Sequence, residues 1–167
     1  IGRDISYQDH VREILQTHKT VISDVFMAVQ GYRTIAIHVP VFKNKAFDGT
    51  VAFLLSFDTL AHRHIENIRI GKSGYAWVIS KKGIEISCPV PGHVGRSVYD
   101  TCKDFPDIIV MAREMMKGHK GITTYHFDRI RGTTVERVLK HAVYMPIPIG
   151  NTFWAIVIAT PEDEVMT

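Results

Sequence analysis

The chain has 167 residues, 46% apolar and 22% charged; that is a globular composition, long enough for one ordinary domain or two small ones, and unlike a disordered segment. The net charge of +3 is spread along the chain with no basic patch, so a nucleic-acid footprint finds no support. The longest apolar runs, at residues 51–55 and 153–159, fall far short of the roughly 20 residues that span a bilayer, and no signal peptide opens the chain.

Ser6 with Tyr7-Gln8-Asp9 resembles a capping box, and Val11, Ile14, Leu15 and His18 follow at helical spacing, which predicts an amphipathic helix over residues 7–18. Three extended segments rich in Val, Ile, Phe and Thr come next, at 20–29, 33–42 and 49–57. A tight turn, Gln30-Gly31-Tyr32, joins the first two, and a polar connection over 43–48 precedes the third. Asp58 is placed to cap a helix over 59–68. Beyond Gly71, Ser73 and Gly74, strands at 75–80 and 84–88 flank a Lys81-Lys82-Gly83 hairpin turn, and 89–95 reads as loop. Asp104 and Pro106 open a further helix near 105–117 whose apolar face is Ile108, Ile109, Ala112, Met115 and Met116, with Gly118 at its end. Strands at 121–128, 138–147 and 152–160 close the pattern.

The last three strands echo the first three. Ala36, His38 and Pro40 stand over Ala142, Tyr144 and Pro146, residues 51–55 over 154–158, and 22–26 over 123–127. The offsets drift from 101 to 106, as loop insertions would make them. The expected organisation is a partial first copy with its linking helix over 1–70 and a complete second copy over 71–167, the latter with one five-stranded antiparallel sheet.

The run GYAWVIS at 74–80, with Gly83, Pro89 and Gly95, resembles the opening of an extracytoplasmic Cache module, a PAS-like sensor fold. The stretch YMPIPIG at 144–150, then 154–160 and Pro161-Glu162-Asp163-Glu164, is similar to that module's last two strands and exit. Residues 2–60, from GRDISYQDH through His38-Val39-Pro40-Val41 to Gly49 and Phe57-Asp58-Thr59-Leu60, resemble the second half of the membrane-distal module of a double Cache protein.

The resemblance implies an α+β fold with PAS-like antiparallel sheets. It also implies a periplasmic or extracellular sensing segment of a bacterial membrane receptor: a sensor histidine kinase of a two-component system, a diguanylate cyclase or a chemoreceptor. Ile1 in place of a starting Met reads as a segment cut from a longer chain, whose flanking helices would reach the membrane and whose preceding part would hold a first distal hairpin. The implied partner is a small molecule, with an anionic ligand as one candidate; a homodimer is compatible. Neither cofactor nor metal is implied. Amino-acid-binding double Cache receptors carry an Arg-x-Trp-Tyr run and an Asp in the last distal strand. Here the matching places hold Gln8-Asp9-His10-Val11 and Leu54, which offer neither the forked Arg for an α-carboxylate nor the carboxylate for an α-amino group.

By the same resemblance the second copy's pocket lies between its sheet and the cover at 89–118. His93 and Arg96 in the Gly-rich start of that cover, and Tyr125, Lys140 and Tyr144 from the sheet, are the candidate ligand-binding residues. Lys140, Ala142 and Tyr144 share one strand face; read plainly, Tyr144 is a core aromatic and Lys140 a strand-end charge. In the first copy His10, Asp24 and His38 are polar residues on apolar elements and are the next candidates for the ligand. His62 and His64, two apart, make a poor metal pair. Cys88 and Cys102, with no CxxC, are either a disulfide permitted by an oxidising compartment or two thiols. Met115-Met116 reads as core and Glu162-Asp163-Glu164 as a solvated exit. Gly-x-Ser-x-Gly, HExxH and P-loop patterns do not occur, and no catalytic carboxylate pair is recognisable, so the segment itself is read as a sensor and not an enzyme. Two rivals are a ligand-free structural or dimerisation module and a cytosolic PAS-type module or small enzyme.

Overall fold

A computed structural model describes residues 4–131, 134–150 and 152–165. Helix α1 (Asp9–Thr17) turns His10, Val11 and Ile14 inward and ends at His18, which takes a left-handed φ of 51° and donates its N–H to the Ile14 carbonyl. The expected capping box does not form: Gln8 stands at the N-cap without a side-chain bond, and the Ser6 N–H is taken by the Asp4 carboxylate at 2.8 Å. The predicted strand over 20–29 is two short pieces, β1 (Val21–Ile22) and β2 (Phe26–Met27). Ser23 breaks it. Its hydroxyl accepts the Ala36 N–H at 2.8 Å while its own N–H reaches the Ala36 carbonyl, so a side chain replaces a rung of the ladder.

Both pieces pair antiparallel with β3 (Arg33–Lys43), which continues into β4 (Ala46–Ser56). The polar connection expected over 43–48 is a two-residue turn. Asn44 and Lys45 both have positive φ, 51° and 67°, the geometry that suits the twist of a tight hairpin. Helix α2 (Phe57–His64) starts earlier than predicted; Asp58 pairs with Arg33 at 2.7 Å instead of capping it.

The second sheet runs β5 (Arg69–Ile70), β6 (Gly74–Ser80), β10 (Thr152–Pro161), β9 (Thr134–Ile149) and β8 (Gly121–Arg131), with β7 (Glu85–Ser87) also on β6. All pairings are antiparallel. The five strands expected between 72 and 163 are present, and β5 adds a short rung at the edge. Two helices cover this sheet's approach: α3 (Val98–Thr101), which the sequence did not announce and whose N-cap Ser97 accepts the Tyr99 N–H, and α4 (Pro106–Met116) with proline in its first turn. Helix α5 (Glu162–Val165) follows β10.

Strand β6 is buried on both faces, and β10 is buried on one face and half-buried on the other. Trp77 and Ile79 of β6 join Ala155, Val157 and Ala159 of β10 in a core closed by Ile108, Met111, Ala112 and Met115 of α4. Ala76 and Val78 turn the other way, with Trp154, Ile156 and Ile158, onto Val25, Ile35, Phe57, Ala61 and Ile65 from the first sheet and α2. Alternation with period two therefore serves two cores at once, and β6 reads as a continuous apolar run. The meander of β2, β3 and β4 repeats that of β8, β9 and β10. The difference is at the outer edge: β10 carries β6, whereas β4 pairs only with β3 among the described residues, leaving Val51, Phe53, Leu54 and Leu55 exposed.

Gly74 lies where β5, β6 and β10 meet. A Cβ there would stand 2.3 Å from the Ile70 carbonyl oxygen and 2.9 Å from that of Ala159, both backbone atoms that cannot swing aside. Gly74→Ala is expected to cost about 2–3 kcal/mol, read as a lower urea midpoint at unchanged slope.

Candidate functional site

Two hollows hold most of the candidate residues that line a cavity. The first lies under α4, lined by Tyr75, Trp77, Glu85, Cys88, His93, Cys102, Ile108, Tyr125 and Phe127, and measures about 10 Å³, the room of a single water. Strand β7 points Glu85 into it, only 1% exposed. The loop after β7 is folded back by the Glu85 N–H to the Arg96 carbonyl and the Gly95 N–H to the Glu85 carbonyl. That fold brings His93 Nδ1 to 3.1 Å from both Glu85 oxygens, and the Thr101 hydroxyl of α3 donates to the same carboxylate. Cys88 and Cys102 are free thiols here, not a disulfide. Burial, and then the Glu85 charge, pushes both upward, Cys102 to about 11.

The five proximal candidates divide. His93 and Tyr125 line this cavity, and the Tyr125 hydroxyl accepts from Trp77 Nε1 at 3.4 Å. Lys140 is 3% exposed beside it. Its ammonium donates to the Tyr75 hydroxyl at 3.1 Å and lies 4.4 Å from the Tyr75 ring centre and 5.4 Å from that of Phe127. Burial, followed by Arg129, lowers its pKa to about 8. Tyr144 lies half-buried against the same core, its ring filling the place left by Gly121 opposite. Arg96 is exposed; its backbone, not its guanidinium, serves the loop. Neither Arg96 nor Tyr144 lines the cavity.

The second hollow is an open groove of about 380 Å³ along the seam between the sheets, where His10, Glu13, Ser23, Asp24, Phe26 and Lys82 converge. An adjoining hollow of about 350 Å³ shares Glu13, Asp24 and Lys82 and runs to Thr152 and Trp154 of β10. The break at Ser23 aims Asp24 toward the β6–β7 turn, and Lys82 in that turn places its ammonium 3.9 Å from the Asp24 carboxylate. His10 and His38 are both buried, with ring centres 5.0 Å apart, and the Phe26 ring lies tilted at 4.6 Å from His10. Burial, and next the neighbouring His38, lowers His10 to about 4; burial lowers His38 as well. A smaller hollow of about 210 Å³ touches both imidazoles together with Ala52 and Leu54. His62 and His64 are exposed away from both sites.

The acidic exit is not merely solvated. Glu164 accepts the Lys72 and Ser73 N–H groups at 2.6 and 3.0 Å and the Ser73 hydroxyl at 2.6 Å. Asp163 accepts from Arg129 at 3.0 Å, and His141 lies 3.4 Å from Glu162. These bonds hold α5 to the start of β6 and to the long β8–β9 hairpin. Lys82, Glu85 and Trp77 were missed as site residues. The available signal was a lone carboxylate between Ile84 and Ile86 on a buried strand.

Residues 1–56 match the model of the HK/GC/chemotaxis protein-like sensor domain family. No curated protein matches the sequence. Solved structures resemble the whole chain. The extracellular domain of mmHK1S-Z2, assigned as a histidine kinase, has a TM-score of 0.73 and 23% identity over 100% of this chain and 60% of its own. The periplasmic sensory domain of the Campylobacter jejuni chemoreceptor Tlp1 has a TM-score of 0.74 and 16% identity over 98% of this chain and 58% of its own. The ligand-binding domain of the Pseudomonas aeruginosa PAO1 amino-acid chemoreceptor PctB, in complex with L-Arg, has a TM-score of 0.71 and 17% identity over 98% of this chain and 58% of its own. The chain therefore has the α+β antiparallel fold of these extracellular and periplasmic sensor domains and spans little more than half their length. No helix among the described residues is long and apolar enough to cross a membrane.

Proposed function

We propose that this chain is the extracytoplasmic ligand-sensing part of a transmembrane signalling receptor, of the histidine kinase, diguanylate cyclase or chemoreceptor kind, and that a small molecule binds in the groove along the seam between its two sheets. The observation that carries this reading is the groove's lining. Helix α1, the broken β1–β2 segment and the β6–β7 turn each contribute a polar side chain to one concavity of about 380 Å³, within the size range of small-molecule sites. Asp24 and Lys82 offer both signs of charge, Phe26 an apolar wall, and His10 an imidazole on the lining, with the His38 ring behind it. A ligand touching all three elements selects one arrangement of the two sheets over another. Strand β10, whose residues line the adjoining hollow, carries that shift to the buttressed exit at α5 and onward to a membrane helix outside residues 1–167. The bare edge and apolar face of β4 are covered, in this reading, by further strands of the parent receptor. The cavity holding His93 and Tyr125 has room for one water-sized group and takes no ligand of this size in the present state.

The test is thermal shift on the 167-residue chain against a defined panel of amino acids, di- and tricarboxylates and amines. A member present at a hundredfold its Kd should add about 2.7 kcal/mol of stability and raise the melting temperature by several degrees. Asp24→Ala and Lys82→Ala should each remove most of the rise, and Arg96→Ala should leave it intact. A panel without a shift, or a shift lost in Arg96→Ala but kept in Asp24→Ala and Lys82→Ala, contradicts this reading.

A further inference from the structure

We propose that Glu85, Cys88 and His93 form a site for a single divalent cation of the zinc class, with Cys102 as fourth ligand. Among the described residues only these three bring metal-ligating atoms together, all within 4.8 Å of one another. Zinc bonds of about 2.0–2.3 Å place tetrahedral ligand atoms roughly 3.3–3.8 Å apart, so the side chains need to close by only about 1 Å. Cys102 lines the same cavity but stands outside that 4.8 Å group, so it joins as fourth ligand by a longer approach than the other three. A set of two sulfurs, one imidazole and one carboxylate suits a borderline-soft ion and disfavours magnesium or calcium.

The surroundings fit an ion better than an organic ligand. The cavity's 10 Å³ holds one small sphere and no amino acid. Glu85 is a fully buried carboxylate, and His93 shares its two oxygens in the manner of a proton occupying a metal's place. The Thr101 hydroxyl already orients that carboxylate from outside the ligand set, as supporting hydrogen bonds do around metal centres. His93, half-buried on the loop, leaves a way in. On binding, two metal–sulfur bonds form as the two thiol protons pass to solvent; the proton shared by His93 Nδ1 and Glu85 moves through solvent to His93 Nε2, which frees Nδ1 and the carboxylate to bond the metal. The ion would then tie β7, the 88–97 loop and α3 into one unit. This site is independent of what the seam groove binds.

The experiment titrates the reduced, metal-free 167-residue chain with Co²⁺ and then displaces it with Zn²⁺. Tetrahedral thiolate coordination should give near-ultraviolet charge-transfer absorption that saturates at one ion per chain, and Zn²⁺ should raise the melting temperature. His93→Ala and Cys88→Ser should each weaken Zn²⁺ binding by roughly 100-fold or more, and Cys102→Ser should reduce the charge-transfer intensity. His62→Ala, at an exposed position away from both sites, should leave the spectrum and the Zn²⁺ affinity unchanged. Absence of the charge-transfer band in the unmodified chain overturns the site without recourse to any variant. Zinc affinity unchanged in both His93→Ala and Cys88→Ser also overturns it and assigns the metal to surface histidines. An unchanged spectrum in Cys102→Ser removes Cys102 from the ligand set.

Discussion

Phe57→Ala is expected to lose about 3–5 kcal/mol of stability, a large part of the 5–15 kcal/mol typical of a domain. Phe57 is 1% exposed at the first turn of α2. Its ring meets Trp154 of β10 edge-on at 6.4 Å and shares a core with Val25 and Ile35 of the first sheet and Ala76 and Val78 of β6. Truncation opens a void between the two sheets that neither backbone can collapse to fill. The chain has two tryptophans, one in each core, so fluorescence during urea unfolding follows the effect directly. The seam groove should fail with the core, because the distance between Asp24 and Lys82 depends on how the sheets pack. A loss below about 1 kcal/mol would mean that Phe57 does not join the sheets.

Stability is also expected to fall between pH 6.5 and 5, before ordinary carboxylates titrate. His10 is held down to about 4 from its usual 6.5 by burial and by His38. Asp9 and Asp24 oppose that shift and Lys82 adds to it. In this window the unfolded chain binds a proton at His10 that the folded chain does not. Stability therefore rises with pH and is lost as pH falls from 6.5 toward 4. One such proton over 1.5 pH units amounts to about 2 kcal/mol, and His38, displaced in the same direction, adds to it. His10→Gln removes the titrating group while keeping a polar side chain, and its urea midpoints at pH 5 and 6.5 should lie markedly closer together than those of the unmodified chain. Equal slopes in the two proteins would remove His10 from the account.

Much of the second sheet was legible because its strands are apolar or β-branched runs and their turns carry Gly83 and Gly150. The first predicted strand failed where Ser23 substitutes its hydroxyl for a ladder bond, a choice made by a partner 13 residues away. The Asn44-Lys45 turn was hidden because Lys is an uncommon occupant of left-handed backbone. Helix α3 is four residues long and too short for any periodicity. Among site residues, His10 and His38 stood out as polar interruptions of apolar elements. Lys82 did not, since a lysine in a hairpin turn is ordinary and becomes a groove residue only when the sheets pack. Arg96 was read from residue type on a flexible-looking loop. The actual direction follows from backbone bonds to Glu85 and His93, which turn its side chain to solvent. The exit carboxylates likewise depend on Ser73 and Arg129, which only tertiary structure brings near.

The seam groove as the ligand site is tested most directly by hydrogen–deuterium exchange of the 167-residue chain with and without the strongest panel ligand. Protection should appear together in residues 8–13, 22–27 and 81–83, the three segments that meet only at the groove. Protection confined to residues 85–102, or none in the three segments, would contradict a sensor that reads its ligand between the two sheets.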